Sequence, residues 1–492
     1  MILLKDILYK VSLQATSGDM NIPISKVQFD SRKVDKGDLF VAIKGTQVDG
    51  HEFIQAAIDN GASAIICEEE ITPLGNVTVV QTESSSRALG IIASNYYGNP
   101  SSKLKLVGVT GTNGKTTIVF LLYSLFRKLG YNAGLLSTIL NKINDDVVPA
   151  THTTGDALQI NQLLKKMVDA GCTYCFMEAS SHAIDQNRIA GLNYDVAVFT
   201  NITHDHLDYH QTFDAYIKAK KKLFDELYPG SYALVNTDDK RGRIMIQNTR
   251  AEKKTFGVKS MCDYKAKILS NSLQGLELEI DNFKIWFNLI GDFNAYNLVA
   301  AYGVAVLLDE DPEQVLVALS AIKPVPGRFE RIPLKSKVIA IIDYAHTPDA
   351  LSNVLKTISS IRTRNEQVIT IVGCGGNRDK EKRPIMADIA CKLSDRVIFT
   401  ADNPRDEDPE KIIEEMKRGV RPTDFKKVLT IVDRKEAIKT SLALAKNMDI
   451  ILIAGKGHED YQEIKGVKKD FSDKKTLLEL ESLMFNDSPN QD

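Results

Sequence analysis

Several things this chain has little of already exclude whole classes of protein. No window approaches the roughly 18 consecutive apolar residues of a membrane-crossing helix, so no membrane partner is expected. Six cysteines in 492 residues do not make a disulfide framework. Cys172 and Cys175 form the only Cys-x-x-Cys, and without a second ligand pair they read as core thiols rather than a zinc site. Neither sign of charge is in excess: 62 basic against 64 acidic residues leaves −2, which argues against a nucleic-acid surface. Any anionic ligand must therefore be held by local geometry. Near the start, Lys5 and Asp6 interrupt the apolar run a secretory leader needs, so a cytoplasmic location is expected. Internal repeats are absent, and only the tail at 486–492 is compositionally biased.

What remains is the composition of a globular protein, 43% hydrophobic and 26% charged. At about 150 residues per domain the length corresponds to roughly three domains, and the patterning divides them at 1–103, 104–327 and 328–492. The fold class expected is α/β, with a central phosphate-loop domain on a mostly parallel sheet and a C-terminal Rossmann-like domain. In the first segment, 27–32, 38–43, 64–67 and 77–80 read as strands and 52–59 and 84–96 as helices. Residues 98–102, Gly-Asn-Pro-Ser-Ser, are turn-rich and mark a boundary. Beyond it, strands are expected at 133–137, 174–178 and 195–200 and a helix at 156–170. A second α/β run has mostly apolar strands at 338–342, 368–372, 396–400, 428–432 and 450–453, the signature of a buried parallel sheet. Many of these strands end in polar clusters, and ligands of open α/β sheets bind at carboxyl strand ends.

The richest stretch is 107–117, Val-Gly-Val-Thr-Gly-Thr-Asn-Gly-Lys-Thr-Thr. An apolar strand, a glycine-bearing loop and a helix start form a cradle of N–H groups for phosphate oxygens. Lys115 can reach a terminal phosphate and Thr116 can offer a hydroxyl to Mg²⁺. Val109 stands where the usual pattern has its first glycine. Glu178, at the end of a neighbouring strand, is placed to hold Mg²⁺ directly or through water. His204, His206 and His210 lie beside Asp205 and Asp208, a setting that fits a hard-cation site with one histidine better than structural zinc. On charge pattern alone, 216–224 reads as a solvated basic helix face.

Together these motifs resemble those of the Mur ligases, the ATP-dependent amino-acid ligases of peptidoglycan precursor synthesis. The resemblance rests on 111–117, on Glu178-Ala-Ser-Ser-His182, on Asn201-Ile-Thr-His-Asp-His-Leu-Asp208, on Ala219-Lys220, on Gly291-Asp-Phe-Asn-Ala-Tyr-Asn297 and on Gly327-Arg-Phe-Glu330. It implies an ATP site of Gly111, Thr112, Asn113, Gly114, Lys115, Thr116 and Thr117 with Asn294, Asn297, Arg328 and Asp343. It also implies two Mg²⁺ ions held by Thr116, Glu178, His206 and a Lys220 carbamylated by CO₂, with Lys115, Glu178, His206 and Lys220 serving catalysis. Ser31, Thr153, Thr154, Ser180, Gln186 and Arg188 would take the UDP-N-acetylmuramoyl-dipeptide, and a monomer is expected.

Within the family the pattern is most similar to the diaminopimelate-adding branch, where Arg378, Asp402, Asn403, Pro404, Arg405, Gly455 and Glu459 would form the amino-acid pocket. The choice of amine has a physical argument. Lysine and meso-diaminopimelate differ by one distal carboxylate, so a selective pocket needs a cation there, and Arg405 can pair with it bidentately. A lysine-adding or folylpolyglutamate synthetase-like relative stays open on this evidence. So does a phosphate-loop switch that hydrolyses nucleotide.

Overall fold

The computed structural model describes residues 2–486 except 46–47, 71–75, 150–152, 204, 206 and 364. Contacts divide it into two compact units. The first comprises Met1–Ile202, Thr212–Asp263 and Ala300–Val315. Its N-terminal sheet runs parallel from Val27–Gln28 through Leu39–Val41 and Ala64–Cys67 to Thr78–Thr82, closed by the antiparallel strand Leu13–Ser17. Its second sheet sets Ala133–Leu136, Tyr174–Glu178, Lys105–Thr110, Val196–Phe199, Tyr232–Asn236 and Glu252–Gly257 side by side, all parallel. Most residues of these central strands are buried, which is why they read as near-continuous apolar runs.

Helix Lys115–Lys128 packs on this sheet through Ile118, Val119, Leu122 and Phe126. Phe126 lies 4.4 Å from the Tyr174 ring and 5.0 Å from that of Phe176, and burying each such ring contributes roughly 2–3 kcal/mol. Helix starts are capped as their sequences require. Asp156 accepts from Gln159 N at 2.9 Å and Thr212 from Ala215 N at 3.1 Å.

The second unit comprises Thr203–Gln211, Tyr264–Val299 and Leu316–Asp492. Its main sheet has the order Glu330–Pro333, Ile339–Asp343, Ile450–Ala454, Val368–Val372, Arg396–Phe399, Val428–Thr430, parallel except for the first pair. The last strand in sequence is thus inserted between the second and third, with an apolar core on each face of the sheet. That insertion brings the ends of strands far apart in the chain to one edge, the topological switch point of such sheets. An antiparallel meander, Tyr264–Ser272, Gly275–Ile280 and Phe283–Phe287, belongs to this unit.

Three departures from the sequence expectations have physical causes. The strand expected at 27–32 stops at Gln28, because the Asp30 carboxylate accepts from Arg32 N at 3.2 Å and turns Ser31–Lys33 into a 3-10 helix. The strand expected at 428–432 stops at Thr430. The edge strand Leu13–Ser17 and the hairpin Tyr461–Ile464 with Val467–Asp470 give little apolar signal because much of each faces solvent, whereas the meander was missed although Leu276, Leu278 and Ile280 alternate with Glu277 and Glu279 in its middle strand. Cys172 and Cys175 are buried, and burial pushes both thiols up, as expected of core residues. No helix among the described residues is long and apolar enough to cross a membrane.

Candidate active site

In the first unit the phosphate loop is braced from the strand beside it. Asn201 accepts Asn113 N at 2.9 Å through its side chain and Thr112 N at 2.8 Å through its carbonyl, while Thr200 Oγ1 donates to Asn113 O at 2.6 Å. Gly111 and Gly114 have φ of +150° and +90°, and a Cβ on Gly111 would collide with Thr200 Oγ1. Only glycine fits there. Lys115 Nζ folds over the loop to donate to Gly111 O and Thr112 O, both at 2.9 Å. Thr116 and Thr117 open the helix and are buried.

Lys220 corrects the basic-face reading of 216–224. It lies on the inner side of helix Phe213–Asp225 with Tyr216, Leu223 and Phe224, 1% exposed. Its Nζ donates to Gly111 O at 3.0 Å and sits 4.6 Å from the Tyr216 ring centre, and Tyr216 shares a 3.1 Å hydrogen bond with Thr112 Oγ1. Two ammonium groups therefore meet at one loop carbonyl. Glu178, 1% exposed, pairs in register with Val109 one residue before Thr110, and its carboxylate accepts from Thr138 N at 2.8 Å and Thr138 Oγ1 at 3.1 Å.

Glu178, Thr153 and Thr154 line one cavity of about 180 Å³. Thr154 Oγ1 donates to Glu178 O and accepts from Ser180 N; Arg188 donates to Thr154 O at 3.0 Å and to Gln186 Oε1 at 2.9 Å. All five expected residues from Thr153 to Arg188 thus form one neighbourhood. Ser31, buried at 9% exposure, belongs to the N-terminal sheet region, where its carbonyl accepts from Asn60 Nδ2. His206 lies outside the described residues, and among the described ones no cluster of three metal-ligating side chains occurs.

The second unit gathers two further groups of expected residues. Asn294 and Asn297 are buried one turn apart and joined at 2.8 Å. Asp343 accepts from Phe329 N at 2.7 Å, and burial pushes its carboxyl up to about 6 against the opposing pull of Arg328. Arg328 stacks on Tyr344 at 4.7 Å. His458 packs against the same tyrosine ring at 5.0 Å, and burial with the nearby Arg328 holds it down at about 3, neutral at physiological pH.

At the adjacent strand ends, Asn403 Nδ2 donates to Glu459 Oε2 at 2.8 Å. Arg405 Nη1 donates to Gly376 O at 2.8 Å, with Nε 3.5 Å from Glu463. Gly455 has φ +116° and lies against the Asp402 carboxylate. Arg378 is exposed on the turn after Gly376, and Pro404 is buried between Asn403 and Arg405. Sequence reasoning passed over Thr138, Asn201 and Lys456 as site residues. Asn201 and Lys456 stand in strand-end clusters and could have been found there; Thr138 has no such signal.

Three family models match the chain: "Mur ligase family, catalytic domain" at 23–97, "Mur ligase middle domain" at 109–305 and "Mur ligase, glutamate ligase domain" at 327–457. A protein of Cytophaga hutchinsonii named UDP-N-acetylmuramoyl-L-alanyl-D-glutamate--2,6-diaminopimelate ligase is 58% identical over 97% of this chain and 98% of its own. A Parabacteroides distasonis protein of the same name is 52% identical over 97% and 98%. A solved structure, also of a UDP-N-acetylmuramoyl-L-alanyl-D-glutamate--2,6-diaminopimelate ligase, superposes with a TM-score of 0.70 at 33% identity, covering 98% of this chain and 99% of that one. With the phosphate loop, Glu178 and the strand-end residues arranged as described, the chain belongs to the Mur ligase family.

Proposed function

We propose that this chain is the ATP-dependent ligase that joins meso-2,6-diaminopimelate to UDP-N-acetylmuramoyl-L-alanyl-D-glutamate, releasing ADP and phosphate, in peptidoglycan precursor synthesis. The observation that carries the choice of amine is Arg405, held beside Asn403 and Glu459 at the strand ends of the second unit. The distal end of diaminopimelate carries a carboxylate and an ammonium, and this cluster offers the Arg405 guanidinium for one and the Glu459 carboxylate for the other.

The D-glutamate γ-carboxylate attacks the ATP γ-phosphate to give an acyl phosphate, which the diaminopimelate amine captures as an amide. In this reading Gly111 to Thr117 cradle the phosphates, Lys115 swings from its loop carbonyls to the transferring group, and Thr153, Thr154, Ser180, Gln186 and Arg188 hold the muramoyl dipeptide, with Ser31 on its uridine end. Asn294, Asn297, Arg328 and Asp343 bind the nucleotide. The chemistry of the donors fits two Mg²⁺ ions, with Thr116, Glu178 and His206 as oxygen and nitrogen ligands. Bound there, the metal ions neutralise charge as phosphoryl transfer proceeds. A carbamate on Lys220 would add an anionic ligand, and the burial of its amine beside Gly111 supports that role. We assign the uridine-nucleotide, ATP and amino-acid domains to 1–103, 104–327 and 328–492, in a monomeric cytoplasmic enzyme; the three matched segments support the division.

The test is ADP release by the purified chain with ATP and Mg²⁺. It is expected to require both the muramoyl dipeptide and an amino acid, and to favour diaminopimelate over lysine by about 100-fold or more, since lysine lacks the distal carboxylate that Arg405 pairs with. ADP release that needs neither would instead mark a nucleotide switch, and a preference for lysine would remove Arg405 from its role.

A further inference from the structure

Lys456 is wholly buried and belongs to none of the groups assigned above. Its Nζ donates to Asn403 Oδ1 at 3.0 Å and to Glu459 Oε2 at 3.1 Å, and lies 3.7 Å from Asp402 Oδ1 and 5.5 Å from the Tyr461 ring centre. An ammonium has three donors and no acceptor, so it dictates which end of the Asn403 amide faces it. Glu463 N donates to the same Oδ1 at 3.0 Å, which leaves Asn403 Nδ2 to reach Glu459. Behind it, Arg434 pairs with Asp473 at 2.7 Å and donates to Ala454 O at 2.9 Å, fixing the backbone just ahead of Lys456.

We propose that Lys456 is a positioning residue for the amino-acid substrate: directly and through the Asn403 amide, it locks the Glu459 carboxylate into the orientation that receives the substrate's distal ammonium. The inference rests on the proposed function. Charge supports it as well as geometry. Asp402 and Glu459 are two carboxylates in one nearly dry pocket, and one ammonium between them leaves a single net negative charge to meet the incoming cation. Because diaminopimelate and lysine share that distal ammonium, Lys456 serves both, whereas Arg405 separates them.

Steady-state kinetics of Lys456→Met in the full-length enzyme test this. The expected result is a KM for diaminopimelate raised about tenfold or more, kcat changed far less, and KM for ATP and the muramoyl dipeptide unchanged. Lysine, as the poor alternative substrate, should weaken by a similar factor. In a double-mutant cycle, Glu459→Gln should cost less in the Lys456→Met background than in the wild type. If Lys456→Met does not fold, Lys456→Gln, which keeps one amide donor, should show the same selective rise at smaller size. A folded variant with an unchanged KM for diaminopimelate, or equal rises in all three KM values, overturns the proposal. Wild-type dependence on diaminopimelate tests the function itself, so the two failures are distinguishable.

Discussion

At the scale of single residues, the site is built by burying charges that a solvated helix or loop would leave exposed. Lys220 is the clearest case: four lysines fall in 218–222, and only the one on the same face as Tyr216, Leu223 and Phe224 turns inward. Burying that ammonium, with the Gly111 carbonyl and the Tyr216 ring beside it, carries a desolvation cost of the kind that marks functional sites. Lys220→Ala should therefore abolish ligation while leaving the fold intact, and added short-chain carboxylates should restore part of the rate by standing in for the missing anionic ligand. Full activity without rescue would return Lys220 to a packing role. Gly111 makes the complementary point, since its conformation and the nearness of Thr200 exclude any side chain.

Elements hold these residues in place by main-chain bonds as much as by side chains. Arg405 adopts φ +51°, unfavourable for a residue with a Cβ by about 1–2 kcal/mol, and the hairpin Tyr461–Ile464 with Val467–Asp470 clasps it there. Arg405 N donates to Glu463 O at 3.0 Å, and Lys465 N donates to Arg405 O at 2.7 Å. Strain of this kind persists only where surrounding structure over-determines it. Replacing Arg405 by Gly should relieve the strain and offset the lost bond to Gly376, leaving unfolding stability within about 1 kcal/mol of wild type. The same variant should lose its preference for diaminopimelate over lysine by about 100-fold. A retained preference would place the discriminating cation elsewhere. A large loss of stability would mean that the guanidinium, rather than the hairpin, holds the turn.

For the first unit as a whole, the N-terminal segment joins the phosphate-loop sheet through close packing. Gly90, inside helix Ser85–Tyr96, lies so near the turn at 187–191 that a Cβ would come within 2.7 Å of Ala190 Cβ and O and 2.9 Å of Asn187 O. The neighbours at the turn are largely backbone and cannot swing aside. Gly90→Ala should therefore cost roughly 1–3 kcal/mol in urea unfolding, although alanine favours an isolated helix by about 1 kcal/mol. It should also raise KM for the muramoyl dipeptide, because Gln186 and Arg188 sit on the displaced turn. Stability at or above wild type would show that the helix and the turn part freely.

Much of this protein was legible before any coordinates. The buried parallel strands, the phosphate loop and the strand-end clusters follow from the order of neighbouring residues, because apolar continuity, helix caps and glycine turns are local demands. The meander Tyr264–Phe287 was legible only in part, since Leu276, Leu278 and Ile280 alternate with Glu277 and Glu279 in its middle strand while the outer two strands are largely polar or wet. The partnerships of the site were not legible. Lys456 meets Asn403 across 53 residues, and Lys220 meets Gly111 across 109, because sheet order and helix rotation carry them together. The strand Ile450–Ala454 enters between two earlier strands, and that insertion, driven by burying both faces of one sheet, set Lys456 beside Asn403. By itself the sequence determined which side chains the protein has for holding phosphate and choosing an amine. Only the tertiary structure decided which of them face one another, since contacts between distant residues depend on packing rather than on local pattern.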